Sequence, residues 1–249
     1  MRISTAALMT SGAVLGGASA VAAFGCVSRS SQLFGPSVFR GCQNRRSIAL
    51  TFDDGPSEHT LDLLEYLDRE RVTATFFVCG MNVKRLPRIA GEVAAAGHQI
   101  GNHSYSHPSL LLKSKRFIER EFTDAQRVIV GEIGIAPMIL RPPYGVRWLG
   151  LREVQCKLSL LGVLWTVIGY DWRLPAPKIA ARVLDNASPG GIICLHDGRG
   201  VTPNPDISEA ISAVKIIVPI LKDQGYAFET VSDLITPECE SAFAGSTVV

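Results

Sequence analysis

Three apolar runs in this chain stop abruptly at polar groups, and those stops constrain the fold more than any other feature of the sequence. Ser47-Ile-Ala-Leu-Thr-Phe52 breaks into Asp53-Asp54-Gly55-Pro56, Met138-Ile-Leu140 into Arg141-Pro-Pro-Tyr144-Gly145, and Gly191-Ile-Ile-Cys-Leu195 into His196-Asp197. Each run reads as a buried strand, and each break puts a chemically capable side chain at the strand's carboxyl end. Strands that alternate with helices and deliver polar residues from that end describe a β/α barrel. The fold expected is therefore α/β, with one catalytic-sized domain.

Successive strand residues point to opposite faces, so Asp53 and Asp54 can address one pocket only if the chain turns as the strand ends; Gly55 and Pro56 supply the turn. Taken alone, a surface Asp-Gly turn reads the same way. About fifty residues on, His103-Ser-Tyr-Ser-His107 sets two imidazoles at i and i+4, so that on one helical turn both face a single ion. Pairs at this spacing hold zinc, with one carboxylate and water completing an open four-coordinate site. Asp54 is the natural third ligand. Two ordinary loop histidines are the alternative, although only five histidines are present and two of them share this spacing.

The ordered set Thr51 to Pro56 (T-F-D-D-G-P), His103 to His107 (H-S-Y-S-H), Arg141 to Gly145 (R-P-P-Y-G), Asp171-Trp172 and Leu195 to Asp197 (L-H-D) resembles the polysaccharide deacetylases related to chitin deacetylases, carbohydrate esterase family four. The resemblance runs from about Arg46 to about Ile235. It implies a distorted, incomplete β/α barrel and a metal-dependent N- or O-deacetylase. By that resemblance Asp54, His103 and His107 bind the metal, zinc first, with cobalt or nickel as ions that also fit. Asp53 is then the general base, held ionised and oriented by Arg141. His196 is the general acid that protonates the departing amine, aimed by Asp171. The backbone N–H of Tyr144 faces the oxyanion, and Trp172 and Leu195 wall the acetyl pocket.

Two positions depart from the family pattern. Ile168 stands three residues before Asp171, where an aspartate is usual, and Cys194 stands two before His196, where leucine is usual. Neither removes a ligand, base or acid; both bear on the shape of the acetyl pocket.

The remaining sequence sets boundaries. Residues 1–25, with a basic start and an Ala/Gly-rich apolar stretch, read as a secretory signal peptide, so the expected location is extracellular or cell wall. Residues 26–45 read as an irregular lead-in, 46–237 as the catalytic domain and 238–249 as a mobile tail. Length 249, 47% hydrophobic content and a net charge of +2 suit one domain and leave no basic stripe for nucleic acid. No stable membrane association is expected, and the protein should be a monomer. Export makes the six cysteines candidates for disulfides; a Cys42–Cys239 tie is implied by resemblance to fungal-type chitin deacetylases, while Cys79 and Cys194 read as buried thiols and Cys156 has no obvious mate. Ile118, Phe122, Ala125 and Ile129 form a helical stripe before Gly131, and Ala210, Val214, Ile217 and Leu221 a second one kinked at Pro219. Residues 80–90, 146–156 and 198–206 are expected to border the cleft.

The expected function is removal of N-acetyl groups from N-acetylglucosamine units of chitin or its oligomers. A peptidoglycan N-acetylglucosamine deacetylase or an acetylxylan esterase would use the same ion and base. The non-enzymatic alternative is a catalytically silent glycan-binding barrel.

Overall fold

The computed structural model describes residues 23–236, which leaves the signal-peptide reading, Cys239 and the tail almost wholly outside the described residues. In chain order the strands are β1 (Ser37–Val38), β2 (Ser47–Asp53), β3 (Thr75–Val78), β4 (Gln99–Asn102), β5 (Ile139–Leu140), β6 (Leu161–Val163), β7 (Val167–Ile168), β8 (Gly191–His196) and β9 (Ala227–Phe228). The helices packed around them are α1 (Thr60–Arg69), α2 (Gly80–Arg85), α3 (Pro87–Ala95), α4 (Lys115–Ile133), α5 (Leu151–Leu158), α6 (Ala176–Asn186), α7 (Ser208–Asp223) and α8 (Val231–Ile235).

The strands form one curled sheet in the order β1-β6-β5-β4-β3-β2-β8-β7, with β9 added beside the start of β2. Every ladder between these strands is parallel. β1 and β7 end the path without pairing to each other, so the barrel is incomplete, as the resemblance implied. A parallel sheet covered on both faces needs apolar side chains in both directions, and all seven residues of β2 are buried. Ile48, Leu50 and Phe52 face outward into the main core with Leu63, Leu67, Val214 and Ile217 of the flanking helices. Ala49 faces inward, into a smaller cluster with Phe77, Val163 and Ile192. By the same two-residue period Thr51 and Asp53 also point inward, and the strand that starts apolar ends as the floor of a site.

Several local expectations shift. α4 carries the Ile118–Ile129 stripe but runs through Gly131 to Ile133, because the left-handed residue that stops it is Gly134 at φ 72°. α7 continues through Pro219 as one helix to Asp223. The lead-in is less irregular than its composition suggests: β1 pairs with β6, Phe34 packs on Trp148 with ring centroids 5.6 Å apart, and Arg29 Nη1 donates to the Trp165 carbonyl at 3.1 Å. Arg147, 1% exposed, donates to the Ser28 and Ser31 carbonyls and to Ser37 Oγ at 3.0 Å. The polar Ser28–Asn44 stretch is thus tied down by buried arginine hydrogen bonds, which composition alone does not reveal.

Among the described residues no helix is long and apolar enough to cross a membrane, and Cys26, Cys42, Cys79, Cys156 and Cys194 are not bridged to one another. Cys79 and Cys194 are fully buried, as expected; the Cys42–Cys239 tie falls outside the described residues.

Candidate active site

Parallel register brings the strand ends together. Asp53 lies beside His196 on β8 and Phe77 on β3, Val78 beside Asn102 on β4, and Asn102 beside Leu140 on β5. The residue just past each strand therefore opens onto the same end of the half-barrel: Asp54, Cys79, His103 and Arg141. A cleft of about 760 Å³ sits there, bordered by Asp53, Asp54, His103, His107 and His196, with Tyr144, Trp165, Ile168, Tyr170 and Trp172 as its apolar and aromatic walls.

Asp54, His103 and His107 converge: one ligand atom from each lies within 4.8 Å of the others. His103 and His107 do not share a helical turn, as their spacing suggested. They sit in a loop after β4, with Ser104 at φ 66° and His107 at φ 57°. The loop is wound around Glu121 of α4, whose carboxylate accepts from Tyr105 N at 3.1 Å, Ser106 N at 2.8 Å and Ser106 Oγ at 2.9 Å. Ser104 Oγ closes the turn by accepting from His107 N at 3.1 Å. Left-handed backbone at non-glycine residues is costly and gathers at functional sites; Asp54, Ser104, His107, Tyr144 and Tyr170 all adopt it here.

The donor set fits a cation. His103 Nδ1 donates to the Arg141 carbonyl at 2.7 Å, which leaves Nε2 as a lone pair aimed at Asp54 Oδ1, 3.3 Å away. His107 Nε2 is 2.9 Å from the same oxygen. These contacts have ion-pair length without hydrogen-bond alignment, so Oδ1 is buried with no donor of its own. A lone pair facing a carboxylate oxygen is repulsive unless a positive charge stands between them. Burial pushes the Asp54 carboxyl up, but the positive field at His196 is among the effects that outweigh it, and the group is held well below the usual carboxylate range. Its other oxygen, Oδ2, accepts from Gly200 N at 2.7 Å.

Asp53, 3% exposed, accepts through Oδ1 from Arg141 Nη1 at 2.6 Å. Arg141 is fully buried: Nη1 also reaches Thr51 Oγ1 at 2.7 Å, Nε and Nη2 reach the Val163 and Leu164 carbonyls, and its guanidinium lies 4.1 Å from the Phe77 ring centroid. Held on that oxygen, Asp53 turns Oδ2 toward the cleft, 4.0 Å from His103 Nε2. His196 Nδ1 is 2.9 Å from Asp171 Oδ1, and its backbone N donates to Asp171 Oδ2 at 3.0 Å. Burial would lower the imidazole's pKa; Asp171, with Asp54 and Asp53 behind it, overrides burial and raises it to about 9. Trp172, 45% exposed, stands edge-on to His196 with ring centroids 5.1 Å apart. Tyr144 packs edge-on against His107 at 4.7 Å.

One expected wall is misplaced. Leu195 points outward into the main core and is fully buried, because period two puts Cys194 and His196 on the inner face of β8. Cys194 Sγ lies 3.5 Å from Asp53 Oδ2, so the thiol occupies the inward position assigned to Leu195. Of the segments expected at the rim, only 198–206 borders the cleft; 80–90 is taken up by α2 and α3, and most of 146–156 by α5.

The roles of four residues escaped the sequence reading. Glu121 looks like a polar position on an amphipathic helix. Asn82, at the start of α2, donates Nδ2 to both the Asp54 carbonyl at 2.7 Å and the Gly200 carbonyl at 2.8 Å. Gly200 needs its glycine, at φ 56°, to present N–H to Asp54. Asp197 is fully buried beneath the site, accepts from Thr60 Oγ1 at 2.7 Å, and is pushed up to about 7 by burial and the neighbouring carboxylates. Asn82→Ala frees the loop from Asp54, and we expect a divalent ion to bind about 10- to 100-fold more weakly, measured by competition with a chelator.

The fold and site together define a half-barrel hydrolase architecture with its polar groups at the carboxyl ends of parallel strands. Comparison with known proteins narrows this. A sequence profile described as polysaccharide deacetylase matches residues 40–160. A peptidoglycan-N-acetylglucosamine deacetylase of Bacillus cereus is 34% identical over 198 residues, 79% of this chain and 70% of that protein. A chitooligosaccharide deacetylase of Bradyrhizobium is 33% identical over 198 residues, 76% of this chain and 90% of that protein. The crystal structure of a peptidoglycan N-acetylglucosamine deacetylase in complex with a naphthalenyl N-oxidanyl-benzamide superposes with a TM-score of 0.74 at 34% identity, covering 79% of this chain and 91% of that one. The chain belongs to the polysaccharide deacetylase family, carbohydrate esterase family four, and its curled parallel half-barrel is the fold of that family.

Proposed function

We propose that this protein is a metal-dependent N-deacetylase acting on N-acetylglucosamine units of chitin-type oligosaccharides. The observation that carries the reading is the convergence of Asp54, His103 and His107 beside two further groups, Asp53 pinned by Arg141 and His196 pinned by Asp171. Asp54, His103 and His107 are the residues that would hold the ion, zinc in the first instance. When bound, such an ion polarises the acetyl carbonyl and makes water nucleophilic near neutral pH.

The protein's own residues divide the rest of the reaction. Asp53 takes the proton of the attacking water on Oδ2, since Oδ1 is held by Arg141. His196, protonated at neutral pH because Asp171 stabilises the imidazolium, donates to the departing nitrogen; an amide needs this donor because an unprotonated amine leaves poorly. The Tyr144 N–H faces the developing oxyanion, and Trp172 with Ile168, both lining the cleft, bounds the acetyl methyl group. Export to the cell exterior or wall and action as a monomer belong to the same reading.

A peptidoglycan substrate is the second reading, favoured by the names of the Bacillus cereus relative and of the solved structure. Mass spectrometry of products from chitooligomers, peptidoglycan fragments and acetylxylan separates the readings. A mass loss of one acetyl per deacetylated unit in chitooligomers supports the first; acetate released from xylan alone removes both. Metal analysis of protein purified without added ions, set beside His103→Ala, identifies the ion and its dependence on this loop.

A further inference from the structure

Cys194 is the departure from the family pattern to which the reaction above gives no part: it is fully buried behind the cleft. We propose that Asp53, Cys194 and His196 make a second cation site, selective for thiophilic dications such as cadmium or excess zinc, whose filling disables the reaction. The binding half of this stands on geometry alone; the inhibitory half rests on the roles proposed above for Asp53 and His196.

The in-register pairing of β2 with β8 creates the site. Thr51 pairs with Cys194 and Asp53 with His196, so the inward faces of two adjacent strand ends carry a carboxylate, a thiol and an imidazole side by side. One ligand atom from each lies within 4.8 Å of the other two, and Sγ is 3.5 Å from Asp53 Oδ2. A tetrahedral ion holds its donors roughly 3.5 Å apart, so rotations on the order of 1 Å close the set.

Each donor is already oriented. Arg141 occupies Asp53 Oδ1, and Oδ2 accepts from the Cys194 thiol, whose proton an ion between the two would replace. Asp171 occupies His196 Nδ1 and leaves Nε2 as the available nitrogen, the carboxylate–histidine pairing that typically aims metal-binding imidazoles. Asp53 and His196 both border the cleft, which gives an ion its way in. On binding, the thiol proton and the Nε2 proton pass to solvent, and no other bond changes.

Sulfur sets the selectivity. The Asp54, His103 and His107 set offers only nitrogen and oxygen, whereas a thiolate favours soft ions over magnesium or calcium. An ion on Oδ2 and Nε2 removes the base and the acid at once. One equivalent of zinc should therefore support turnover, and a second, softer ion should suppress it.

The test loads the full-length protein with one equivalent of zinc and titrates cadmium while recording thiolate-to-cadmium charge-transfer absorption and deacetylation of chitooligomers. We expect a band that saturates at one cadmium per chain and tracks the loss of turnover. In Cys194→Ser, and in Cys194→Ala as a second variant, that band disappears and the cadmium needed for inhibition rises by at least ~100-fold, more than loss of an outer-shell partner costs a metal site. Cys79→Ser serves as control: its sulfur faces the His103 carbonyl at 3.8 Å and belongs to neither donor set, so the cadmium response should stay as in the parent. Unchanged band and unchanged inhibition in both Cys194 variants overturn the site, as does equal inhibition by magnesium. A protein inert toward every acetylated glycan that still forms the Cys194-dependent band keeps the cation site and removes the deacetylase reading, so the two failures are told apart.

Discussion

Asp53→Asn should leave the metal set intact while lowering kcat by about 100- to 10,000-fold, the usual contribution of a positioned general base. The substitution keeps an oxygen for Arg141 but puts an amide, which cannot take a proton, where Oδ2 faces the cleft. Asp54, His103 and His107 lose nothing, so ion content by metal analysis should match the parent. The two measurements together are diagnostic. Near-normal kcat would remove Asp53 as the base; lost ion would mean that Asp53 is itself a ligand.

Arg141→Leu should be the most damaging single change to stability among the site residues. Its partner Asp53 would remain ionisable, 3% exposed and without its cation, and the Thr51 hydroxyl and the Val163 and Leu164 carbonyls would lose their donor together. Removing one member of a buried ion pair costs about 3–5 kcal/mol, because the remaining charge is left without compensation. Urea unfolding monitored by tryptophan fluorescence measures this directly, and a loss below about 1 kcal/mol would contradict the assignment of a tightly coupled pair. Arg141→Lys should fall between the two, since a single ammonium cannot reach the carboxylate, the hydroxyl and both carbonyls from one position.

How much of this was legible in the sequence depends on whether a residue's role is local. Asp53 and Asp54 could be read because the strand that ends in them is followed, in order, by the other motifs; alone, the pair looks like a surface turn. Arg141 and His196 could be read for the same reason. The parallel half-barrel could be inferred from those endings and from the order of motifs. His103 and His107 do come together, but not on the support expected: the i, i+4 spacing suits a helix, whereas the chain reaches the convergence through left-handed turns wound on Glu121. Leu195 was assigned as a wall by the family resemblance, but it adjoins His196, and strand alternation sends an adjacent residue to the opposite face. Asn82 and Gly200 carry no local signal at all, and Asp197 was legible as the end of the L-H-D motif but not as a buried acid. Asn82 acts across 28 and 118 positions of chain, and only folding brings it to Asp54 and Gly200.

The leading stretch that holds β1 against β6 has a colloidal consequence. A strand at the end of a sheet carries unpaired backbone groups that invite another chain to add on. Here the protein covers β6 with its own Ser37 and Val38, and Arg147 fastens the covering piece from inside. Most of that piece precedes residue 40, where the family profile begins to match. At this end of the sheet the edge that remains is only the two residues of β1, and the piece that shortens it lies mostly outside the matched region.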